Sequence, residues 1–599
     1  MRNARHRTGH RAGVNPAPVA RALLAHALKL EIDAQAPRAR DAVEVISGQR
    51  MPSSSGWGER IRFRLSHRRG RRIKPGARVR LELQDLPPRP ARVLGYDEGE
   101  VVVSTELPFG IPIPDGQLVE DSRWIMRSLR WTLLSSMRGR HDVLGLAMLG
   151  VAVPRDRGTS PEVQVPGDLN TEQREAVHRG LKPGLCLIEG PPGTGKSLTI
   201  GALVDVALQS GRSVLCVAPT NVATDRVLDS VCSRLAMDGP LEEGRVIRLG
   251  GVANESLRTR WQSVVDPWVI AGRRVADPAD LGLVRAEMRR VVSSAAVTVT
   301  TVARTHLLDL HRRFDLVVVD EAAATSLPGL YHVGSMVAPG GSLVLVGDPC
   351  QLPVVTRSRD PLVRRLYSRD PFRILASARG LGVDSEPRAV RLRTQHRMDP
   401  QITGLANHMV YGDLVTHPDV WTRPPLAGRW PGEHLVLVDS SDVPGRRGRA
   451  DRYDNEVHAN IIAGLLTPDV LACPQGGGIA VVCRYRDQVG AIRARAPRRE
   501  DLLVDTVHAV QGGEAHTVIL DLSACREHRY VGDYLQDTGP DEVGSRLMTV
   551  ALTRARRRVV VVADLRFLLA HPDIPPHAVS RRLLAHLQKH AVVWKPKLS

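Results

Sequence analysis

The sequence predicts an α/β protein with two parallel-sheet domains in tandem, preceded by a small β unit. Three observations carry that prediction. Short apolar runs at 185–188, 214–217, 295–302, 316–319 and 343–346 alternate with helix-like stretches. A second series follows at 435–438, 479–482, 502–504, 518–520 and 559–562. Runs of this length separated by helices are the pattern of strands buried on both faces, as in parallel sheets with helical crossovers. The first run also opens directly into a glycine-rich loop followed by a helical stretch.

Taken in order, residues 1–50 are polar and rich in Arg and Ala. They are expected to be poorly ordered, apart from an amphipathic helix over 19–30. Residues 51–164 read as a small β-barrel with a helical stalk. Within them 77–83 alternates, 100–104 is β-branched, and Pro and Gly punctuate between. A helix is expected over 121–137, with Trp124, Leu129 or Ser128, and Trp131 on its packing stripe. Residues 154–168 read as a linker. The first α/β domain spans 165–385 and carries a charged, helix-prone insertion at about 235–290. The second spans 386–599.

The formal net charge of +19 points to a polyanionic partner, nucleic acid before acidic lipid. Solvated surface arginines are the alternative. Seven lysines stand against 76 arginines. Between Pro75 and Gln588 only Lys182 and Lys196 remain, so a lysine at 196 is not background. The seven cysteines form no C-x-x-C pair, which argues against a zinc ribbon and for buried thiols in a reducing, cytoplasmic setting. No apolar run approaches the ~18 residues that span a bilayer. The chain starts basic, and the segment after it, Ala17 to Leu30, is interrupted by Arg21 and His26, which makes a poor secretory signal.

Gly190-Pro-Pro-Gly-Thr-Gly-Lys196-Ser197 fits G-x-x-x-x-G-K-[ST] between a strand and a helix. Gly190, Pro191, Gly193, Thr194 and Gly195 would shape a loop whose N–H groups cradle phosphates. Lys196 would meet the β- and γ-phosphates, and Ser197 would ligate Mg²⁺. Phe314-Asp-Leu-Val-Val-Val-Asp320-Glu321 is an apolar strand ending in two carboxylates, at the sheet edge where ligands bind. Asp320 would hold the metal and Glu321 would polarise the attacking water. The cofactors implied are ATP and Mg²⁺.

Further segments narrow the reading. They are Val346-Gly-Asp348-Pro-Cys-Gln351-Leu-Pro353, Thr394-Gln395-His-Arg397-Met-Asp-Pro400 and Thr549-Val-Ala-Leu-Thr553-Arg554-Ala555. Together they resemble motifs III, IV and VI of superfamily 1 helicases. Asn170-Thr-Glu-Gln173 stands where that family has its adenine-reading glutamine. Ala218-Pro-Thr-Asn221 resembles motif Ia, and Asp505-Thr506-Val-His508-Ala-Val-Gln511-Gly-Gly-Glu514 resembles motif V. The likeness covers about 165–565 and is strongest to the Upf-like branch, in a bacterial-type form without the Cys/His-rich regulatory domain.

The resemblance implies two RecA-like domains in tandem. It implies that Arg397 and Arg554 reach the γ-phosphate as arginine fingers, that Gln351 senses that phosphate, and that Glu514 meets the ribose. Thr220, Asn221, Thr301, Thr506 and His508 match positions that touch a single strand of DNA or RNA. Tyr485 has two readings, stacking near nucleotide or base, and a core tyrosine. Val354, Val510 and Thr549 depart from the family's usual residues, which puts coupling and strand grip in doubt but not hydrolysis. No E-x-K or H-x-K triplet exists, so any cleavage falls to a separate nuclease or pathway partner.

The expected activity is that of a monomeric helicase or translocase moving 5′→3′ on a single strand, without a membrane partner. A nucleic-acid-stimulated remodeller that separates no strands and a nucleotide-gated scaffold are the alternatives.

Overall fold

The computed structural model describes residues 16–596, except 36–41, 52–58, 67–72, 74–76, 85–88, 98, 106–112, 121–122, 136–142, 151–163, 236–240, 242, 253, 277–280, 308–311, 378–387, 445–452, 472–476, 511, 529–530 and 540–541. Two compact units emerge, Met1–Arg140 with Val355–Ser368, and His141–Val354 with Arg369–Ser599.

In the first unit, β1 (Ala42–Met51), β2 (Glu59–Leu65), β3 (Arg78–Leu83), β4 (Arg89–Asp97), β5 (Glu100–Thr105) and β6 (Gly116–Glu120) close an antiparallel barrel. The strand order is β1-β2-β5-β4-β3-β6, and β1 pairs with β6. Alternation drives closure. Ile61 and Phe63 of β2 and Val101 and Val103 of β5 are fully buried, while Arg62 and Arg64 face out. The barrel therefore begins at Ala42, and the boundary expected at residue 50 falls inside β1. The helix expected over 19–30 runs Ala17–Ala34. The unordered state expected for 1–50 thus does not describe 17–34 or 42–51, and residues 1–15 and most of the 154–168 linker lie outside the described residues.

That helix packs on a second one, Arg123–Ser135. Its buried stripe is Met126, Leu129 and Leu133, whereas Trp131 is 73% exposed. The expected Trp124–Trp131 stripe is therefore corrected. Positions 126, 129 and 133 are spaced i, i+3, i+7 and share one face, and Trp131 falls on the neighbouring one. The fully buried Glu31 carboxylate accepts from the backbone N–H groups of Arg357 and Ser358 at 2.9 and 3.0 Å, and so fixes the segment that joins this unit.

The second unit holds two parallel sheets. The first comprises β7 (Gly184–Glu189), β8 (Val214–Ala218), β9 (Val246–Leu249), β10 (Val297–Thr301), β11 (Phe314–Val319), β12 (Val337–Gly347) and β13 (Ala389–Arg391), in the order β13-β7-β12-β11-β8-β10-β9. β9 lies within the insertion expected to be helical, so that stretch is a strand followed by three helices, Glu255–Val265, Pro267–Arg274 and Leu281–Ser294. A two-stranded sheet, β14 (Thr394–Gln395) with β15 (Val415–Thr416), follows. The second large sheet comprises β16 (Leu435–Asp439), β17 (Ile479–Cys483), β18 (Leu502–Thr506), β19 (Ala515–Asp521), β20 (Ala555–Ala563) and β21 (Val592–Trp594), ordered β18-β17-β19-β20-β16-β21. Every residue of β8, β10, β16 and β17 is buried, because helices cover both faces. Among the described residues no helix is long and apolar enough to cross a membrane.

A sealed polar network closes the carboxyl edge of the second sheet. His458 Nδ1 lies 2.7 Å from Asp521 Oδ1, and its Nε2 lies 2.8 Å from Ser440 Oγ. A carboxylate only accepts, so Nδ1 carries the proton and Nε2 accepts from Ser440. Gln488 donates to the other Asp521 oxygen and accepts from the Asn455 N–H. The order Ser–His–Asp is that of a hydrolase triad. All three are sealed from solvent, so here the network is structural and ties β16 to β19. His458→Ala would strip one hydrogen bond from the buried Asp521 carboxylate and leave Gln488 as its donor, at a cost of about 1–3 kcal/mol. Urea unfolding of the two proteins at pH 7 measures it, and a loss below ~1 kcal/mol would mean the network carries little.

Candidate nucleotide site

The carboxyl ends of β7, β12 and β11 lie side by side, with Glu189 level with Gly347 and Val319 with Leu345. That register brings the glycine loop, Asp348 and the Asp320–Glu321 pair to one edge, where an open parallel sheet binds ligands. The loop turns through left-handed Gly193 and Gly195, both at φ 81°, into the helix Lys196–Gln209. Lys196 Nζ donates to the Gly190 carbonyl at 2.5 Å, and Thr194 Oγ1 to the Pro191 carbonyl at 2.8 Å.

Gly193 also lets the second α/β domain in. The His396 N–H donates to the Gly193 carbonyl at 2.8 Å, and a Cβ on Gly193 would stand 2.6 Å from Arg397 Cβ. The two sheets therefore share a cavity of about 500 Å³. Gly193, Thr194, Gly195, Lys196, Ser197, Asp320, Glu321, Gln351, Arg397, Glu514 and Arg554 all line it, as the motifs led one to expect.

Three buried atoms in this cavity lack hydrogen-bond partners: Asp320 Oδ1, Gln351 Oε1 and Arg554 Nη2. Buried polar groups are usually paired. Other unpaired ones occur in the described residues, Ser523 Oγ and Tyr534 Oη among them, but these three converge on one cavity and suit a polar ligand there. Burial, and then the charge of Glu321, push the Asp320 carboxyl up to about 7. Asp320 and Ser197 line the same cavity, and a carboxylate with a hydroxyl suits a hard divalent cation, so the residues fit Mg²⁺. Glu321 sits at φ 50°, and among the described residues only Ser47 is another non-glycine with positive φ. Such a conformation costs of order 1–3 kcal/mol and here aims the carboxylate into the cavity.

From the second domain, Arg397 Nε donates to Glu514 Oε2 at 2.9 Å, and Arg556 pairs with the other Glu514 oxygen at 3.5 Å. Arg554 is buried and donates to the Val550 carbonyl from Nε and to the Gly513 carbonyl from Nη1. Burial, reinforced by Arg397, brings its pKa down to about 10, so it stays charged while short of solvation. Gln351 Nε2 donates to Asp348 Oδ2, which also accepts from Tyr411 at 2.6 Å, and Arg546 holds the Gln351 carbonyl. The Asp348–Gln351 segment is thus gripped from the second domain.

Other predicted residues stand elsewhere. Gln173 forms a capping box with Asn170 and donates to the Thr194 carbonyl at 3.2 Å, bracing the loop from behind rather than facing the cavity. Gly190 and Pro191 shape the loop without lining the cavity. Thr220 and Asn221 follow β8, and Thr301 ends the adjacent β10, so the three cluster at one sheet edge. Thr506 ends β18 and His508 is exposed beyond it; Gln511 lies outside the described residues. Tyr485 stacks on Tyr453 at 4.2 Å and meets Tyr534 edge-on, away from the cavity, so its packing reading holds. Sequence reasoning missed Arg226, His396 and Arg556 on the cavity wall, and Tyr411 and Arg546 behind it. His396 alone had a signal, as the ring inside the quoted Gln395–Arg397 motif.

The AAA domain description matches residues 173–357 and again 368–566. The DNA-binding protein SMUBP-2 of Mesocricetus auratus is 28% identical over 72% of this chain and 46% of its own length. A Regulator of nonsense transcripts 1 homolog of Arabidopsis thaliana is 27% identical over 75% and 36%. The DNA replication ATP-dependent helicase/nuclease DNA2 of Mus musculus is 25% identical over 72% and 40%. The chain spans less than half the length of these relatives.

The raised Asp320 carboxyl has a thermodynamic consequence. In the unfolded chain it releases its proton near its ordinary value of 3.8, but in the folded protein only near 7. Stability is therefore lost as pH rises between those values, and the loss is complete above 7. Asp320→Asn removes that penalty. Its unfolding temperature without nucleotide should exceed the parent's at pH 8, by a margin that shrinks as pH falls toward 5. A margin that is absent, or independent of pH, would overturn the assignment.

Proposed function

We propose that this chain, which belongs to the Upf-like branch of the superfamily 1 helicases, is an ATP-driven motor that moves along a single strand of nucleic acid. The observation that carries this reading is the convergence of Lys196, Asp320 and Glu321 from one domain with Arg397 and Arg554 from the other on one cavity. A site split between two domains makes hydrolysis depend on their closure, and that dependence turns an ATPase into a motor.

Each residue has a role under this reading. The loop N–H groups and Lys196 hold the triphosphate. Ser197 and Asp320 would hold Mg²⁺, which neutralises charge on the phosphate oxygens when bound. Glu321 orients the attacking water and draws its proton. Arg397 and Arg554 stabilise charge on the transferred γ-phosphoryl group, a contribution of roughly 10³–10⁵ in rate for comparable fingers. Glu514, already held by Arg397, is placed to accept from the ribose. The flat His396 ring, stacked on His417 at 4.3 Å, offers a face to the base. Thr220, Asn221, Thr301, Thr506 and His508 supply small polar groups for backbone contacts without sequence readout. A 5′→3′ direction follows the branch's habit.

The relatives' names divide between DNA and transcripts, so matched single-stranded DNA and RNA are the natural probes. ATPase activity should rise with either strand and fall steeply between ~50 and ~200 mM salt. Glu321→Gln and Arg554→Ala should each lower the stimulated turnover by about 10³-fold, and Lys196→Ala should abolish it. Full strand-stimulated turnover in Lys196→Ala or Glu321→Gln would sink the proposal. Duplexes with 5′ or 3′ overhangs then report strand separation and direction. Stimulated ATPase without unwinding of either would identify a translocase or remodeller.

A further inference from the structure

The helix Asn221–Leu235 begins at the candidate strand-binding edge and runs back beside the nucleotide cavity. Its polar side chains are mostly committed. Asp225 meets Arg248 Nη2 at 3.3 Å and the Asn254 N–H at 3.1 Å, and Asp229 accepts from Trp261 Nε1 at 2.8 Å. Arg226 is the exception. It is half-buried and lines the cavity, and among the described residues it makes no hydrogen bond or ion pair.

Its surroundings define what it awaits. The cavity wall carries five basic side chains, Lys196, Arg226, Arg397, Arg554 and Arg556, against three carboxylates, Asp320, Glu321 and Glu514. Glu514 is already shared by Arg397 and Arg556. The charge of Arg226 acts on Asp320 on its own domain and on Arg397 and Arg554 opposite. Like charges gathered in a partly desolvated cleft repel strongly unless an anion lies among them.

Arg226 also touches the other domain. Its guanidinium lies against Gly512, whose φ of 84° and missing Cβ admit it; a Cβ there would stand 2.9 Å from Arg226 Cζ. The Gly512–Gly513 turn links β18, which ends at Thr506, to Glu514 and β19.

We propose that Arg226 is a third arginine of the triphosphate site, carried by the first domain, which contacts the γ-phosphate and relays its presence to the Gly512–Gly513 turn. Arg397 and Arg554 withdraw when the domains part. Arg226 stays beside Lys196 and Glu321, so it discriminates triphosphate from diphosphate before closure. The inference rests on the ATP-motor reading and adds a residue that none of the motifs contains.

Binding of a fluorescent non-hydrolysable ATP analogue and of the matching ADP analogue, without nucleic acid, tests it on the full chain. Arg226→Ala and Arg226→Gln should weaken the ATP analogue by about 10- to 100-fold and the ADP analogue by less than about 3-fold. Because Arg226 has no partner to strand among the described residues, unfolding temperatures should not fall below the parent's. Gly512→Ala should impair stimulated turnover, and part of that loss should disappear in the Arg226→Ala background, where the added methyl meets no guanidinium. Equal loss for both analogues, or none, overturns the proposal, as does a Gly512→Ala defect untouched by removing Arg226. If the parent chain binds neither analogue, the motor reading falls and this inference with it. If the parent binds and hydrolyses ATP while Arg226→Ala discriminates normally, only the inference falls.

Discussion

Buried charge left without a partner by its own chain governs this molecule. Asp320 Oδ1 and Arg554 Nη2 are both desolvated, both unpaired, and face one cavity from different domains. Neither group could be tolerated in an ordinary core, where an uncompensated charge costs several kcal/mol. On the proposed function each would be satisfied by the same ligand, a triphosphate with its cation. The penalty would then be held in reserve in the free protein and released on binding, which would tie the energetics of folding, domain closure and nucleotide affinity to one place.

Sheet architecture makes that arrangement available. Parallel strands buried on both faces end level with one another, so polar residues at their carboxyl ends form a row. In the first domain the row runs from the glycine loop at β7 through Asp348 after β12 to Asp320 after β11. Farther along the same edge lie Thr220, Asn221 and Thr301, after β8 and β10. The cavity-lining groups and the candidate strand-binding groups thus share one sheet. Gly193 permits the second domain to approach the loop, and Tyr411 and Arg546 hold the Asp348–Gln351 segment from that side. On the proposed function, a change at the γ-phosphate would therefore have a short mechanical path to both domains.

The second domain keeps its own order by other means. The sealed Ser440–His458–Asp521 chain holds β16 and β19 together at the edge from which the motif turns depart. The tyrosines stacked at 453 and 485 pack above β17 rather than at the nucleotide. These features give the arginine-bearing elements a stiff base, which a finger needs if its guanidinium is to arrive at a set position.

The amino-acid sequence by itself determined the tandem sheets, because apolar runs of strand length can be hidden only between helical layers. It also determined the loop at 190–197 and the paired carboxylates at 320–321, because phosphate binding needs those residue types in consecutive order. Its reading of the barrel start, the tryptophan stripe and the insertion was coarser, since short alternating runs leave ends and faces undetermined by a residue or two. What only the tertiary structure decided was which distant residues share the cleft. Arg226 and Arg556 are indistinguishable in sequence from many other surface arginines, the motif that holds His396 does not say where its ring points, and Gln173 turned out to brace the loop. Their roles depend on how far a side chain reaches across a gap between two sheets, a distance that no local pattern encodes.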